Sequence, residues 1–367
     1  MNKNHFHTID ALRFFAFLLV FLQHIPAFGI TWYTSFNKWG ANGVNFFFIL
    51  SGFLISFFLI QEKIHTNSVD LKKFFIRRVL RIWPIYYVLL IVFFILPFDI
   101  INKLGLYNQF GYKHEWLYSF TFSENYKIIS ENKLSSLTPL SMNWSLCIEE
   151  HFYLLFPFII TYASLKRIPV VLIALFSTSI LVKTAAFLFF HSTDFSGTEL
   201  ISCTDLFSMG ALLGYRTATK NLQTSSFTLS IPNVYKWVFI LLVIPLTFIL
   251  QPLLPKNNIF YLLYPTIQGI CFTLLIALFI PQKSTLQIPT QNILSYFGKI
   301  SYGMYLYHIT IINILYLIFL MTGFHINNLI SLLILIAASL ALTIVISHFS
   351  YVVIEKPILK VKEKYFP

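Results

Sequence analysis

Charge is what this sequence has least of. Lys, Arg, Asp and Glu supply only 11% of its 367 residues, against roughly 25% in an ordinary soluble domain. Hydrophobic residues make up 57% and the mean hydropathy is +0.73, which excludes a water-soluble fold. Paired cysteines are also lacking. Cys147, Cys203 and Cys271 stand singly in apolar stretches, a spacing that excludes a disulfide framework, haem attachment or a cysteine zinc site and leaves them as packing residues. No metal-ligand set, internal repeat, low-complexity tract or room for a second soluble domain is found.

What the chain has instead is aromatic and apolar mass. Phe and Tyr number 41 and 20, a load suited to lipid-facing helices and interfacial belts. A spanning helix needs about 20 mostly apolar residues, and ten segments qualify: 10–28, 43–60, 82–99, 145–163, 169–190, 199–215, 234–251, 259–280, 299–320 and 327–355. The expected fold is therefore an all-α integral membrane bundle of about ten transmembrane helices. The first segment is read as a mature helix rather than a cleaved signal, because Asp10 and Arg13 interrupt its start and no small-x-small cleavage site follows. Segment 199–215 is the weakest, broken by Thr204, Asp205 and Ser208, while 327–355 exceeds a span.

The net charge of +12 is a topology signal. With the N-terminus cytoplasmic, eighteen of the 26 Lys and Arg residues fall on inner segments, Lys3 and Lys283 among them. Outer loops hold Lys38, Lys103, Lys113, Lys127, Lys133 and Lys256; with Lys236 and Lys299, at the inner ends of their segments, counted as inner, Arg13 and Lys183 are left inside spans. The positive-inside rule then places both termini in the cytoplasm, and nucleic-acid binding is not expected. The outer segment 100–144 is polar enough to lie in water and to fold over the outer mouth.

Ionisable groups in the hydrocarbon region are costly, so each reads first as a functional candidate with a partner to be named. Arg13 and His24 are eleven residues apart, three helical turns plus about 20°, so both project from nearly one stripe, about 16 Å apart along the axis. Asp10, one turn before Arg13, is positioned to pair with it. In one reading Arg13 meets an anionic group from the cytoplasm and His24, which exchanges its proton near neutral pH, serves as general base. In the other, Arg13 snorkels to the inner interface and His24 sits at the outer one.

Three further clusters stand out. Glu149 and Glu150 fall about one turn into the fourth span, point about 100° apart and cannot both face one partner; one would orient His24 or Arg13, or both would lie at a wet interface. Arg78 and Arg81 share a helical face just before Trp83 and Pro84, either gripping phosphates by bidentate contacts or serving the positive-inside rule. Tyr302, Tyr305 and His308 form a stripe in the ninth span, lining a cavity or bonding one another within the bundle. Lys183 and Asp205 are placed to form a buried pair between the fifth and sixth spans, and Asp194 is a further candidate.

Taken together, these motifs resemble the acyltransferase 3 family of bacterial membrane O-acyltransferases over essentially the whole chain. Arg13 and His24 match its Arg-x10-His signature, GVNFFFILSGFLIS its second-helix block around Ser51, and RRVLRIWPIYY its basic block with Arg78 and Arg81. WSLCIEEHFYLLFP matches its Trp-Ser-Leu element with Glu149 at the acidic position, and GKISYGMYLYHI and SYVVIEKP complete the set. The resemblance implies a single transmembrane acyltransferase domain in the bacterial inner membrane. Its activity would be transfer of an acyl group, usually acetyl, from cytoplasmic acetyl-CoA to a hydroxyl of a polysaccharide, lipopolysaccharide or lipid-linked carbohydrate at the outer face.

It further implies His24 as the catalytic residue and Arg13, Arg78 and Arg81 as contacts of the CoA donor; the residues themselves add Glu149 as a second catalytic candidate, orienting His24, and Asp10, Ser51, Tyr305 and His308 as substrate-binding candidates. Acyl-CoA is a substrate, so no bound cofactor is expected, and membrane lipid and a homo-oligomer are compatible with this reading. Asn45 departs from the acidic residue that many members carry. Members with a fused extracytoplasmic domain complete transfer there; this chain, ending after its tenth span, is expected to act alone or with a separate partner. The rival readings are a transporter or flippase for an anionic or acylated molecule and a membrane scaffold. A carrier would favour internal symmetry and broken helices, and a scaffold has no reason to keep charges in the bilayer.

Overall fold

A computed structural model of the chain describes residues 7–26, 28–96, 114–131, 139–190, 197–220, 230–255, 258–280, 286–288 and 292–365. Lys3, Lys103, Lys113, Lys133, Asp194, Lys256 and Lys283 lie outside them. The described residues contain helices and no strand. The long helices are α1 (His7–His24), α2 (Ala41–Thr66), α3 (Leu71–Ile95), α4 (Asn143–Tyr162), α5 (Ile168–Phe190), α6 (Leu200–Lys220), α7 (Asn233–Leu253), α8 (Ile259–Phe279), α9 (Ser301–Met321) and α10 (Leu329–Tyr365). Each falls on one of the apolar segments read from the sequence.

Seven of these, α2, α3, α5 and α7 to α10, are long and apolar enough to cross a membrane. The other three are interrupted by ionisable candidates: Asp10, Arg13 and His24 in α1, Glu149 and Glu150 in α4, Asp205 in α6. Helix α3 starts well before the expected 82, because the Asp70 carboxylate accepts the Lys73 N–H at 2.9 Å and caps it. Its basic residues are therefore helical. Helices α7 and α10 each pass through a π-helical turn, Phe239–Val243 and Tyr351–Glu355, just before Pro245 and Pro357. A proline nitrogen cannot donate to the carbonyl four residues back, and the wider turn absorbs that loss.

The chain divides into two compact units. The first comprises Met1–Ala16, Asn42–Val69 and Ile148–Gly298. In it, α2 and α6 approach at backbone contact: a Cβ on Gly52 would strike the Phe207 carbonyl, and one on Gly210 the carbonyl of Ile49. Gly210 and Gly214 form a Gly-x-x-x-Gly face of the kind that lets membrane helices pack closely. Phe207 stacks on Phe48 and Phe152 with ring centres 4.8 and 4.1 Å away. The Lys63 ammonium, at the end of α2, donates to the carbonyls of Ile160, Thr161 and Ala163 at 2.7, 2.8 and 2.7 Å. It thus satisfies the orphan acceptors at the C-terminus of α4 and its dipole.

The second unit comprises Phe17–Ala41, Asp70–Cys147 and Lys299–Pro367. Helices α9 and α10 pack together, joined by Tyr307 and Ser350 at 2.9 Å, and the Tyr302 hydroxyl donates to the Ile82 carbonyl of α3 at 2.9 Å. The described part of the segment expected to lie in water folds onto α3 as two short helices, Trp116–Phe120 and Glu124–Glu131. Tyr86 donates to the Ser119 carbonyl at 2.7 Å, and buried Glu124 bonds His114 at 2.8 Å and Ser119 at 2.7 Å. Lys127, also buried, pairs with Glu115 at 3.0 Å. Polarity here is spent on internal pairing, which composition alone does not distinguish from solvation. Phe122 takes a left-handed φ of 53°, with its ring stacked on Tyr86 at 4.4 Å.

Candidate active site

The sequence candidates gather into separate clusters. In the second unit, His24 ends α1 and is half-buried. Its Nδ1 lies 2.8 Å from the Val20 carbonyl oxygen and 3.2 Å from Nε2 of His308 on α9. His308 is completely buried. Its own Nδ1 lies 2.7 Å from the Tyr305 carbonyl, and the rings of Phe17 and Phe21 pack on it at 5.7 and 6.4 Å between centres. Among the described residues, Nε2 of His24 meets no hydrogen-bonding side chain. The hydrogen-bond contacts of the ring among the described residues thus all fall on Nδ1.

Tyr305 is held in turn. Its hydroxyl lies 2.6 Å from the Ser145 Oγ at the start of α4, so the tyrosine belongs to the frame around His308. The stripe of Tyr302, Tyr305 and His308 is therefore committed to partners on three elements: the Ile82 carbonyl, Ser145 and His24. Ser145 was legible as the serine of the Trp-Ser-Leu element, but nothing in the sequence pointed it at Tyr305.

Also in this unit, Arg78 places its guanidinium 5.6 Å from the Phe74 ring centre, a cation–π distance. Arg77, Arg78 and Arg81 all act on the Lys362 ammonium of α10, and Arg81 acts on the Glu355 carboxylate. Glu363 acts on Lys362 as well, so cations and carboxylates of the two helices lie within electrostatic reach of one another.

In the first unit, Asp10 and Arg13 pair as their spacing suggested, at 3.7 Å and partly exposed, a loose contact of small energetic weight. Ser51, Glu149 and Tyr153 close a triangle. The Ser51 hydroxyl donates to one Glu149 oxygen at 3.3 Å, Tyr153 donates to the other at 2.6 Å, and the two hydroxyls lie 3.0 Å apart. Two blocks that matched the family separately, those of Ser51 and Glu149, therefore meet. Tyr153 was missed by sequence reasoning, although it stands four residues after Glu149, the spacing that aligns side chains on a helix.

Elsewhere in this unit, Lys183 and Asp205 form the expected buried pair at 2.7 Å, completed by Ser179 and Thr266. All three cysteines are free thiols. No group of three or more His, Cys, Asp or Glu residues able to hold a metal occurs among the described residues.

Residues 6–348 match the family described as Acyltransferase domain. The chain belongs to this acyltransferase family. It is 36% identical over 158 residues to the O-acetyltransferase OatA of Staphylococcus aureus strain NCTC 8325, covering 42% of this chain and 24% of that protein. It is 27% identical over 375 residues to a protein of Staphylococcus aureus strain COL named "Putative O-acetyltransferase", covering 96% of this chain and 57% of the relative. The chain thus spans a quarter to just over half the length of these relatives. No solved structure matches it. Family membership, with several helices apolar enough to span a bilayer, makes this a multi-pass membrane protein.

Proposed function

We propose that this protein is a membrane O-acyltransferase that moves an acyl group, acetyl in the simplest case, from cytoplasmic acyl-CoA to a hydroxyl of a cell-envelope glycan or lipid-linked carbohydrate at the outer face of the bacterial inner membrane. The observation that carries the reading is His24. It lies in a helix with Arg13 eleven residues before it, its Nδ1 is held by protein, and its Nε2 meets no hydrogen-bonding side chain among the described residues. A family of acyltransferases supplies the reaction class, and a neutral imidazole supplies a general base.

In this reading the CoA phosphates dock against Arg78 and Arg81, with Arg13 as a further anionic contact, and both chain termini face the cytoplasm. The acceptor hydroxyl gives its proton to Nε2 of His24 as its oxygen forms a bond to the thioester carbonyl carbon. The carbon–sulfur bond then breaks, and the departing thiolate takes the proton from the imidazolium. Atoms and charge balance with no further reactant. Glu149, fixed by Ser51 and Tyr153, is assigned to orienting or electrostatic support.

The test is acyl transfer by purified protein from labelled acetyl-CoA to an envelope glycan, with release of CoA. His24→Ala is expected to remain folded and to lose on the order of 100-fold or more in turnover. Wild-type turnover in that variant would overturn the assignment. A transporter or flippase for an anionic or acylated molecule would bind without releasing CoA.

A further inference from the structure

The geometry around His24 points to a defined role for its neighbour: we propose that His308 is the positioning residue of the site, accepting the Nδ1–H of His24 and so holding that ring with Nε2 presented to the reacting hydroxyl. The inference rests on the reading of His24 as general base.

Hydrogen-bond chemistry leaves one assignment for the neutral pair. The Nδ1 of His24 lies 2.8 Å from the Val20 carbonyl, and the Nδ1 of His308 lies 2.7 Å from the Tyr305 carbonyl. A carbonyl oxygen only accepts, so each Nδ1 carries the proton, and a neutral imidazole has its lone pair on the other nitrogen. The single Nδ1–H of His24 is therefore shared, donating to the Val20 carbonyl at 2.8 Å and, in the 3.2 Å contact, to Nε2 of His308 as the second acceptor. Nε2 of His24 then holds the lone pair that a base requires.

Val20 cannot do this alone. Its carbonyl lies four residues before His24 on the same helix, where it is also the acceptor for the His24 backbone N–H. It cannot tie the ring to anything beyond α1. His308 stands on α9 and is itself fixed by the Tyr305 carbonyl and by the rings of Phe17 and Phe21. When Nε2 of His24 takes up a proton, its Nδ1–H becomes a charge-assisted donor, and such hydrogen bonds are roughly twice as strong as neutral ones. The lone pair of His308 is in place to receive it.

Two substitutions separate this role from packing. His308→Leu keeps an apolar side chain among Phe17 and Phe21 but removes the acceptor. His308→Gln offers an amide oxygen as acceptor. We expect His308→Leu to lower kcat about 10- to 100-fold with the KM for acetyl-CoA little changed, and His308→Gln to recover most of the loss. In protein labelled with 15N-histidine in lipid nanodiscs, the His24 Nδ1–H resonance, assigned by its disappearance in His24→Ala, is expected at one position in the wild type and His308→Gln and shifted from it in His308→Leu, where the Val20 carbonyl is the remaining acceptor; an unchanged position in His308→Leu would overturn the inference. Equal turnover in wild type and His308→Leu, or a leucine variant better than the glutamine one, would overturn the inference. If His24→Ala itself retains transfer, the functional reading fails instead, while the resonance still reports whether the contact exists.

Discussion

Lys183 of α5 and Asp205 of α6 meet at 2.7 Å with both side chains almost wholly buried. Asp205 also receives hydrogen bonds from Thr266 at 2.5 Å and Ser179 at 3.1 Å, so every element of the cluster is compensated. Either Lys183→Ala or Asp205→Ala leaves an uncompensated buried charge and is expected to destabilise the protein by about 3–5 kcal/mol. The double substitution Lys183→Met with Asp205→Leu should cost far less than the two singles together. Thermal unfolding in detergent checks this, and additive losses would show that the two charges are not coupled.

Gly210 leaves no room for a side chain against the Ile49 carbonyl. Gly210→Leu is expected to force α2 and α6 apart and to collapse the yield of folded protein, as overpacked cores lose about 1–3 kcal/mol or more. Ala at Gly197, where a Cβ meets nothing within 4 Å, is the control. Size-exclusion profiles of the two variants should differ.

The carboxylate of Glu149 is held by two hydroxyls, and hydrogen bonds to a charged group contribute about 1.5–3 kcal/mol each. Tyr153→Phe removes the shorter one and should lower turnover more than Ser51→Ala does, in the order of their distances, 2.6 and 3.3 Å. Glu149→Gln keeps the shape and removes the charge. Wild-type turnover in that variant would remove Glu149 from the machinery.

The assignment of Arg78 and Arg81 to the CoA phosphates predicts a donor-binding defect. The double variant Arg78→Ala with Arg81→Ala should raise the KM for acetyl-CoA at least tenfold, with a smaller effect on kcat, because these groups would bind ground state and transition state alike. The KM should also rise with salt, as expected for attraction to charges that are only partly buried. A salt-independent KM in the wild type would contradict it.

Tyr305→Phe deletes the 2.6 Å bond to Ser145 but leaves the backbone carbonyl that holds His308. A stability loss of about 1 kcal/mol is expected, with turnover falling less than in His308→Leu. Measuring both quantities in the two variants decides whether the hydroxyl or the carbonyl matters to the site.

Much of this molecule is written in its sequence, because a bilayer constrains one dimension strictly. Backbone groups in hydrocarbon must be satisfied within each segment, so apolar length alone located the long helices, and one-turn spacing alone foretold the Asp10–Arg13 contact. Even the Lys183–Asp205 pair was legible, since two opposite charges in neighbouring apolar spans have few other ways to be tolerated. Which helices touch was not legible. Ser51 against Glu149, Ser145 against Tyr305, and above all His24 against His308 are separated by up to 284 positions, and lateral packing among apolar helices leaves no periodic trace. Through that packing the tertiary structure turned His308, one more polar residue in a tyrosine-rich stripe by sequence, into the acceptor that sets the direction of the His24 ring.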